Sequence, residues 1–267
     1  KLFGKAKNAT YHSAVALELL HTASLVHDDV VDESDKRRGQ ASVNAIYNNK
    51  ISVLVGDYLL ATCLMHASRT SNEEIVEVIA CLGQDLSEGE ILQLSNVSNA
   101  TLDENVYFDV IRKKTAALFA ACTKAAALSV DASPEEVEMA RLFGEYVGIC
   151  FQIKDDIFDY YDSLEIGKPT GNDMREGKLT LPAIYALNST QDADAFRLAI
   201  KVKSGEVTGD EIARLIEYTK QNGGIDYAKS TMMAYKDRAK DLIADIKNIA
   251  VRDALFCYLD YVVNRVK

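Results

Sequence analysis

Proline is scarce in this chain, and this scarcity constrains the fold more than any local helix propensity does. Among the 267 residues there are only three prolines: Pro134, Pro169 and Pro182. Proline inside a helix removes a backbone hydrogen bond and clashes with the preceding turn, so long uninterrupted helices are possible almost everywhere else. The sequence therefore predicts an all-α protein, and one domain over residues 1–267 is the default at this length.

The balance of acidic and basic residues limits which kinds of molecule the protein could bind. The chain has 40 acidic and 30 basic residues and a net charge of −10, which argues against generic nucleic-acid binding because phosphate backbones attract basic surfaces. An odd number of cysteines, five, without a CxxC pair is typical of a reduced cytoplasmic protein. We find no apolar run of the roughly 20 residues that span a bilayer, so we expect a cytoplasmic protein without stable membrane insertion.

Apolar residues at helical spacing, together with turn residues, predict where the helices lie. We predict helices over residues 11–33, 43–69 with a break near Gly56, 73–97, 103–129 and 134–161, followed by a helical bundle in the last ninety residues. Ser133 precedes Pro134 and is predicted to cap the fifth helix. A polar segment over residues 163–178 is predicted to be a loop.

Two aspartate clusters of the form DDxxD follow apolar helical stretches. In the first, Asp28 and Asp32 lie four residues apart, so they share a helix face and repel each other near the helix C-terminus, where the helix dipole also disfavours negative charge. A bound cation would relieve both penalties, and carboxylate oxygens suit Mg²⁺ or Mn²⁺. One such cluster could equally be a solvated acidic helix end. The same spacing recurs at Asp155, Asp156 and Asp159, and coincidence does not readily account for two copies.

Basic residues follow both clusters. Arg37 and Arg38 come just after the first, and Lys168 and Lys178 come after the second. Arginine binds phosphate bidentately and lysine supplies a point charge. By themselves these are ordinary surface residues. Beside carboxylate clusters in an acidic protein, they indicate a site for a metal-bound diphosphate.

Four segments resemble, in order, the motifs of the trans-type (E-type) isoprenyl diphosphate synthases. They are HDDVVDESDKRRG (27–39), GDYLL (56–60), KTAALF (114–119) and FQIKDDIFDYYDSLEIGKPTGNDMREGKLTLP (151–182). The resemblance runs from about residue 11 to residue 187. It implies the isoprenoid synthase type I fold, a single-domain bundle of long helices around a central cavity, and a homodimer. It also implies a Mg²⁺-dependent prenyltransferase that condenses isopentenyl diphosphate with an allylic diphosphate.

The resemblance also implies a role for each matching residue. Asp28 and Asp32 would hold Mg²⁺ on the allylic diphosphate with Asp29 in support, and Asp155 would hold a further Mg²⁺ with Asp156 and Asp159 around it. Arg37 would contact the allylic diphosphate, and Arg38 and His21 would contact isopentenyl diphosphate. The other positions on the allylic side are Lys114, Thr115, Gln152, Lys168 and Lys178. Taken without the resemblance, Lys114 would be a surface lysine, Gln152 a partner for a neighbouring helix, and His21 a core histidine.

The residues one turn before Asp28 bear on product length. Short-chain members of this family place bulky aromatic side chains there to close the cavity, whereas this chain has Ala23 and Ser24, with Leu20 one turn further back. The resemblance therefore implies a product longer than farnesyl, of medium or polyprenyl length. Small residues at these positions could instead serve only close helix packing.

Other classes of protein remain as alternatives. Class I terpene cyclases and squalene-type synthases also use aspartate-rich sites, but they generally lack a second DDxxD with a GKPTGND segment. A regulatory subunit of a heteromeric synthase typically loses one aspartate motif, and a purely structural bundle would bind neither Mg²⁺ nor diphosphate. The family also carries an upstream GGKxxRP-like segment that residues 1–12 do not match, so we expect an N-terminal portion to be missing.

Overall fold

The computed structural model describes residues 1–37, 39–97, 102–161 and 170–265, and it confirms the all-α prediction. The helices are α1 (Asn8–Val31), α2 (Val43–Ile46), α3 (Asn49–Ser68), α4 (Glu73–Val97), α5 (Glu104–Ile111), α6 (Ala117–Leu128), α7 (Pro134–Phe158), α8 (Asn172–Arg175), α9 (Leu181–Thr190), α10 (Ala193–Ser204), α11 (Gly209–Gln221), α12 (Gly224–Ile243) and α13 (Ile249–Asn264). A π-helical turn (Arg112–Ala116) joins α5 to α6. Two short antiparallel strands, β1 (Lys36–Arg37) and β2 (Gln40–Ala41), follow α1.

The chain divides into two compact units. The first unit comprises Lys1–Leu86 and Ala117–Gly144, and the second comprises Ser87–Ala116 and Glu145–Lys267. The prediction of one domain over the whole chain stays a prediction.

In the first unit, α1 packs against α3 and α6. The apolar core of this unit joins side chains from these helices with others from α4, including Leu20, Cys63, Ile79 and Leu128. Gly56 lies buried in α3 where a Cβ atom would overlap the ring of His27, so glycine lets α1 and α3 approach closely. This packing fixes the end of α1 that carries the first aspartate cluster.

In the second unit, α9 packs against α5, α11 and α12, and α12 also packs against α13. The core of this unit contains aliphatic side chains that are fully buried, among them Ile153 of α7, Leu187 of α9 and Leu259 of α13. The second aspartate cluster lies at the C-terminal end of α7 and begins two residues after the buried Ile153. Its backbone is therefore anchored by the core of this unit.

Two predicted helix boundaries are wrong. The break in the segment 43–69 lies at Asn48, which adopts a φ of 150° and whose side chain accepts a 3.0 Å hydrogen bond from the N–H of Ile51, while Gly56 lies inside α3. The predicted helix over 103–129 is interrupted by the π-helical turn. In contrast, Ser133 caps α7 as predicted, because its hydroxyl accepts from the N–H of Glu136 and the Glu136 side chain accepts from the N–H of Ser133.

Helix α3 differs from expectation in a second respect. By length and apolar composition α3 could cross a membrane, which corrects the expectation that no segment of this chain is long and apolar enough. Most of its surface is exposed, including Leu54 and Tyr58. Another surface is therefore expected to cover this face.

Candidate active site

The first aspartate cluster lies where α1 ends. Asp32 is the C-terminal cap of the helix, and its N–H donates a 2.8 Å hydrogen bond to the carbonyl oxygen of Asp28. Asp28 is half-buried and Asp32 is exposed, so both carboxylates reach the surface of the first unit near a helix end where negative charge is disfavoured. This arrangement matches the prediction of two carboxylates on one helix face.

Asp29 and Arg37 form a close ion pair. The Arg37 Nε and Nη2 atoms donate to Asp29 Oδ1 at 2.9 and 2.6 Å, and the Asp29 carboxylate is nearly fully buried. Asn44 also donates to the Asp29 carbonyl oxygen at 3.2 Å. Asp29 therefore ties the β1–β2 ribbon to α1, and its support of a metal ion stays a prediction. The contact of Arg37 with a diphosphate stays a prediction, and Arg38 lies outside the described residues.

A cavity of about 230 Å³ runs between α1 and α6. On α1 it is lined by Leu17, Glu18 and His21, and on α6 by Leu118 and Cys122. Residues 21, 24 and 28 are three and four positions apart, so they share one face of α1. On this face Ser24 lies between Asp28 and His21, which lines the cavity. The α1–α6 cavity is mostly apolar, as a site for a hydrocarbon tail requires.

Two of the three predicted chain-length residues lie elsewhere. Leu20 belongs to the apolar core with Cys63, and Ala23 is fully buried, whereas Ser24 is half-buried. His21, predicted to bind isopentenyl diphosphate, lines the α1–α6 cavity. The predicted roles of these four residues stay predictions, and Ser24 is the least buried of the three chain-length positions.

The second cluster contains a fully buried carboxylate. Asp156 is 1% exposed; its Oδ2 accepts a 2.6 Å hydrogen bond from the Tyr107 hydroxyl and its Oδ1 a 2.8 Å bond from Gln152 Nε2. Burial, together with the negative charge of Asp173, raises the pKa of Asp156 to about 8. Such an environment favours a proton or a cation close to this carboxylate.

Asp159 and Asp155 have different partners. Asp159 accepts hydrogen bonds from the N–H groups of Asn172 and Asp173 at 2.8 and 3.2 Å, so it holds the start of α8, and burial raises its pKa. Asp155 Oδ1 accepts a 2.5 Å hydrogen bond from Arg265, which follows α13, and the Asp155 side chain is 42% exposed. Arg265 was not predicted, because nothing local in the sequence links it to Asp155.

A second cavity, of about 280 Å³, lies within the second unit. Five predicted residues line it: Lys114, Thr115, Gln152, Asp156 and Lys178. Lys114 forms an ion pair with Glu90 and donates to Gln93 at 3.2 Å, and Lys178 donates to Glu176 at 2.7 Å. The resemblance thus named five of the residues that line this α5–α7 cavity, and their roles stay predictions.

Among the lining residues of the α5–α7 cavity that were not predicted are Tyr107, Asp173 and Lys203. Burial lowers the pKa of Lys203, a lysine of α10. Asp173 lies inside the GKPTGND segment, which could have indicated it, whereas Tyr107 and Lys203 carry no signal in a single sequence. Lys168 lies outside the described residues.

The donor set fits a magnesium ion. Among the residues that the structure describes, no three His, Cys, Asp or Glu side chains form a closed metal site. Mg²⁺ does not need one, because it usually takes one or two carboxylates and completes its shell with phosphate and water. Asp173 and Asp155 place negative charge near the buried Asp156 carboxylate, and a hard divalent cation would neutralise it.

Comparison with known proteins gives consistent matches. The family model described as polyprenyl synthetase matches residues 1–219. The octaprenyl diphosphate synthase of Escherichia coli is 34% identical over 255 residues, which are 94% of this chain and 78% of that protein.

Solved structures also match over nearly the whole chain and confirm the predicted fold. A geranylgeranyl pyrophosphate synthase from Bacteroides thetaiotaomicron has a TM-score of 0.90 and 64% identity and covers 99% of this chain and 84% of its own. A polyprenyl synthase from Caulobacter crescentus, solved with calcium and isoprenyl diphosphate, has a TM-score of 0.90 and 34% identity over 99% and 81% of the two chains.

Proposed function

Because the chain belongs to the polyprenyl synthetase family, we propose that it is a head-to-tail prenyltransferase that condenses isopentenyl diphosphate with an allylic diphosphate. The observation that carries this proposal is the α5–α7 cavity, where the buried carboxylate Asp156 and two lysines, Lys114 and Lys178, share one lining. Carboxylates for a metal ion and cations for phosphate are the two components that a metal-bound diphosphate requires.

The product is an all-trans polyprenyl diphosphate of medium or long chain. The two relatives named for a single product, an octaprenyl and a geranylgeranyl synthase, both make chains longer than farnesyl. The small side chain of Ser24, between Asp28 and the apolar α1–α6 cavity, leaves room for such a chain. Both features agree with the open cavity that the sequence implies.

The reaction begins when the allylic C–O bond breaks and gives an allylic cation and diphosphate. The double bond of isopentenyl diphosphate attacks the cation, a C–C bond forms, and the resulting tertiary cation loses a proton to the released diphosphate. Lys114 and Lys178 stabilise the charge on the leaving diphosphate, because preorganised cations act most strongly where charge develops. Excluding water from the site would protect the allylic cation until isopentenyl diphosphate attacks it.

Magnesium is the proposed cofactor. Asp28, Asp32 and Asp155 would hold the ions, with Asp29, Asp156 and Asp159 supporting them, and Mn²⁺ could replace Mg²⁺. Bound there, Mg²⁺ would act as a Lewis acid on the diphosphate oxygens. Asp29 and Asp159 support by position, since they anchor the β1–β2 ribbon and α8 respectively.

A homodimer in the cytoplasm completes the proposal. Ile51, Leu54, Tyr58 and Met65 form an exposed apolar stripe at helical spacing on α3. Exposed stripes of this kind mark protein or membrane contacts. We assign the α3 stripe to a second copy of the chain, because homodimers commonly bury one self-complementary apolar surface.

Product analysis tests the proposed function. The enzyme is incubated with isopentenyl diphosphate, Mg²⁺ and dimethylallyl, geranyl or farnesyl diphosphate in turn, and the product masses are measured. We expect products longer than farnesyl from at least one primer. A series that stops at farnesyl would contradict the chain-length proposal, and cyclic hydrocarbons without condensation would favour a terpene cyclase.

A further inference from the structure

Tyr107 makes a buried hydrogen bond to the second aspartate cluster. Its ring is 8% exposed, and its hydroxyl donates to Asp156 Oδ2 at 2.6 Å. Burial and the neighbouring carboxylate also raise the pKa of Tyr107 well above its ordinary value, so the phenol keeps its proton. Tyr107 belongs to α5 and Asp156 to α7, so the bond joins two helices of the second unit.

The same carboxylate is the end point of a longer chain of hydrogen bonds. The Thr115 hydroxyl donates to Gln152 Oε1 at 2.7 Å, and Gln152 Nε2 donates to Asp156 Oδ1 at 2.8 Å. Because the Gln152 amide donates on one side and accepts on the other, its orientation is fixed. Both oxygens of Asp156 are therefore engaged, one by Gln152 and the other by Tyr107.

The backbone around Thr115 is unusual as well. Thr115 lies in the π-helical turn Arg112–Ala116, and π-helical insertions into helices occur frequently at functional sites. This turn begins directly after α5, the helix that carries Tyr107. Tyr107, which precedes this turn, and Thr115, which lies within it, thus connect to the same carboxylate, and both line the α5–α7 cavity.

We propose that Tyr107 is a positioning residue of the prenyl-transfer reaction. Its hydroxyl holds the Asp156 carboxylate in one orientation, and through Gln152 it fixes the direction of the Thr115 hydroxyl on the cavity wall. The inference rests on the proposed function, because it takes the α5–α7 cavity as the place where a magnesium-bound diphosphate is held. In that function Asp156 supports the Mg²⁺ that Asp155 would hold, and outer partners of this kind orient a metal site, so their loss weakens metal binding without removing a ligand.

A Tyr107→Phe substitution tests this role, since it removes one hydroxyl and keeps the ring. The first readout is thermal stabilisation by inorganic diphosphate and Mg²⁺, with the Mg²⁺ concentration varied. We expect the half-maximal Mg²⁺ concentration to rise by roughly 10- to 100-fold, the range found when partners behind metal ligands are removed. We also expect a fall in kcat at saturating substrate, with a smaller change in KM.

A matched control separates positioning from packing. Tyr235→Phe removes a hydroxyl from a half-buried tyrosine whose ring packs against Phe108, the neighbour of Tyr107. We expect Tyr235→Phe to leave the Mg²⁺ dependence unchanged. If Tyr107→Phe lowers the melting temperature equally with and without ligand and leaves the Mg²⁺ dependence unchanged, Tyr107 is a packing residue and the proposal is wrong.

Repeating the Tyr107→Phe substitution in an Asp156→Asn variant makes the test independent of folding defects. In Asp156→Asn protein, Tyr107→Phe should change the Mg²⁺ dependence much less than it does in the wild type, because the two residues act as one unit. Equal effects in both backgrounds would overturn the proposal. If the wild-type protein itself shows neither condensation nor stabilisation by Mg²⁺ and diphosphate, the proposed function is wrong. If the wild type is active and the Tyr107 variant is unaffected, only the role of Tyr107 is wrong.

Discussion

Single residues with a strong sequence pattern were predicted best. Repeated DDxxD spacing identified Asp28 and Asp155, and five predicted residues line the α5–α7 cavity. Tyr107 and Arg265 were missed because their relation to Asp156 and Asp155 arises from tertiary contacts across 49 and 110 positions of sequence. A single sequence contains no pairing information at that range.

Ser24 provides the sharpest test of product length at this scale. Ser24→Phe places an aromatic ring on the face of α1 between Asp28 and the α1–α6 cavity, so we expect the product to become shorter. The measurement is the mass distribution of products from isopentenyl and farnesyl diphosphate. Ala234→Phe, at an exposed position of α12, serves as the control. Products of unchanged length from the Ser24 variant would contradict this view of the cavity.

Ala23→Phe is a weaker test, although the sequence suggests it equally. Ala23 is fully buried, so a phenyl ring there would overpack the first unit at a cost of about 1–3 kcal/mol. A shorter product from that variant could then reflect a displaced α1. The structure thus separates two positions that the sequence treats alike.

At the scale of secondary structure, the presence of the helices could be predicted from the sequence, whereas their interruptions could not. The helices over 73–97 and 134–158 begin at the predicted residues, because acidic first turns and a serine cap determine them locally. The π-helical turn after α5 has no such local signal. Its alanine-rich surroundings favour an ordinary helix, so its cause lies in packing and in the hydrogen bonds of Thr115 and its neighbours.

Close helix packing at Gly144 gives a stability prediction. A Cβ atom on Gly144 would lie 2.5 Å from the Phe119 carbonyl oxygen, so α6 and α7 would have to separate in the first unit. Alanine gains up to about 1 kcal/mol of helix propensity over glycine, but overpacking costs about 1–3 kcal/mol. We therefore expect Gly144→Ala to lower the urea midpoint of unfolding.

Gly209→Ala is the matched control for this prediction. It is also in a helix, but a Cβ atom there would have no neighbour within 4 Å. We expect it to be neutral or to stabilise the protein by about 0.4–1 kcal/mol, because alanine restricts the unfolded chain. A Gly144 variant as stable as the Gly209 variant would show that α6 and α7 are not in contact as described.

At the scale of the whole molecule, the exposed α3 stripe predicts the oligomeric state. Leu54 and Tyr58 are 66% and 72% exposed, and Leu54→Lys with Tyr58→Lys would place two charges on the proposed dimer surface. We expect sedimentation velocity to show a dimer for the wild type and a monomer for this double variant. The control is Ile200→Lys with Ile249→Lys, at exposed apolar positions of α10 and α13, which should stay dimeric. A monomeric wild type would contradict the assignment of the α3 stripe.

The central claim is that carboxylates of both clusters bind magnesium so that diphosphate can leave. The most direct measurement is the rate of condensation of isopentenyl and farnesyl diphosphate as a function of Mg²⁺ concentration, for the wild type, Asp28→Ala, Asp155→Ala and the exposed control Asp237→Ala. We predict that chelation abolishes the wild-type reaction and that Mg²⁺ restores it. We also predict that Asp28→Ala and Asp155→Ala each lower turnover by roughly a hundredfold or more with an unchanged circular dichroism spectrum, while Asp237→Ala behaves as wild type. Turnover close to wild type in either cluster variant, or full activity without a divalent ion, would contradict the account.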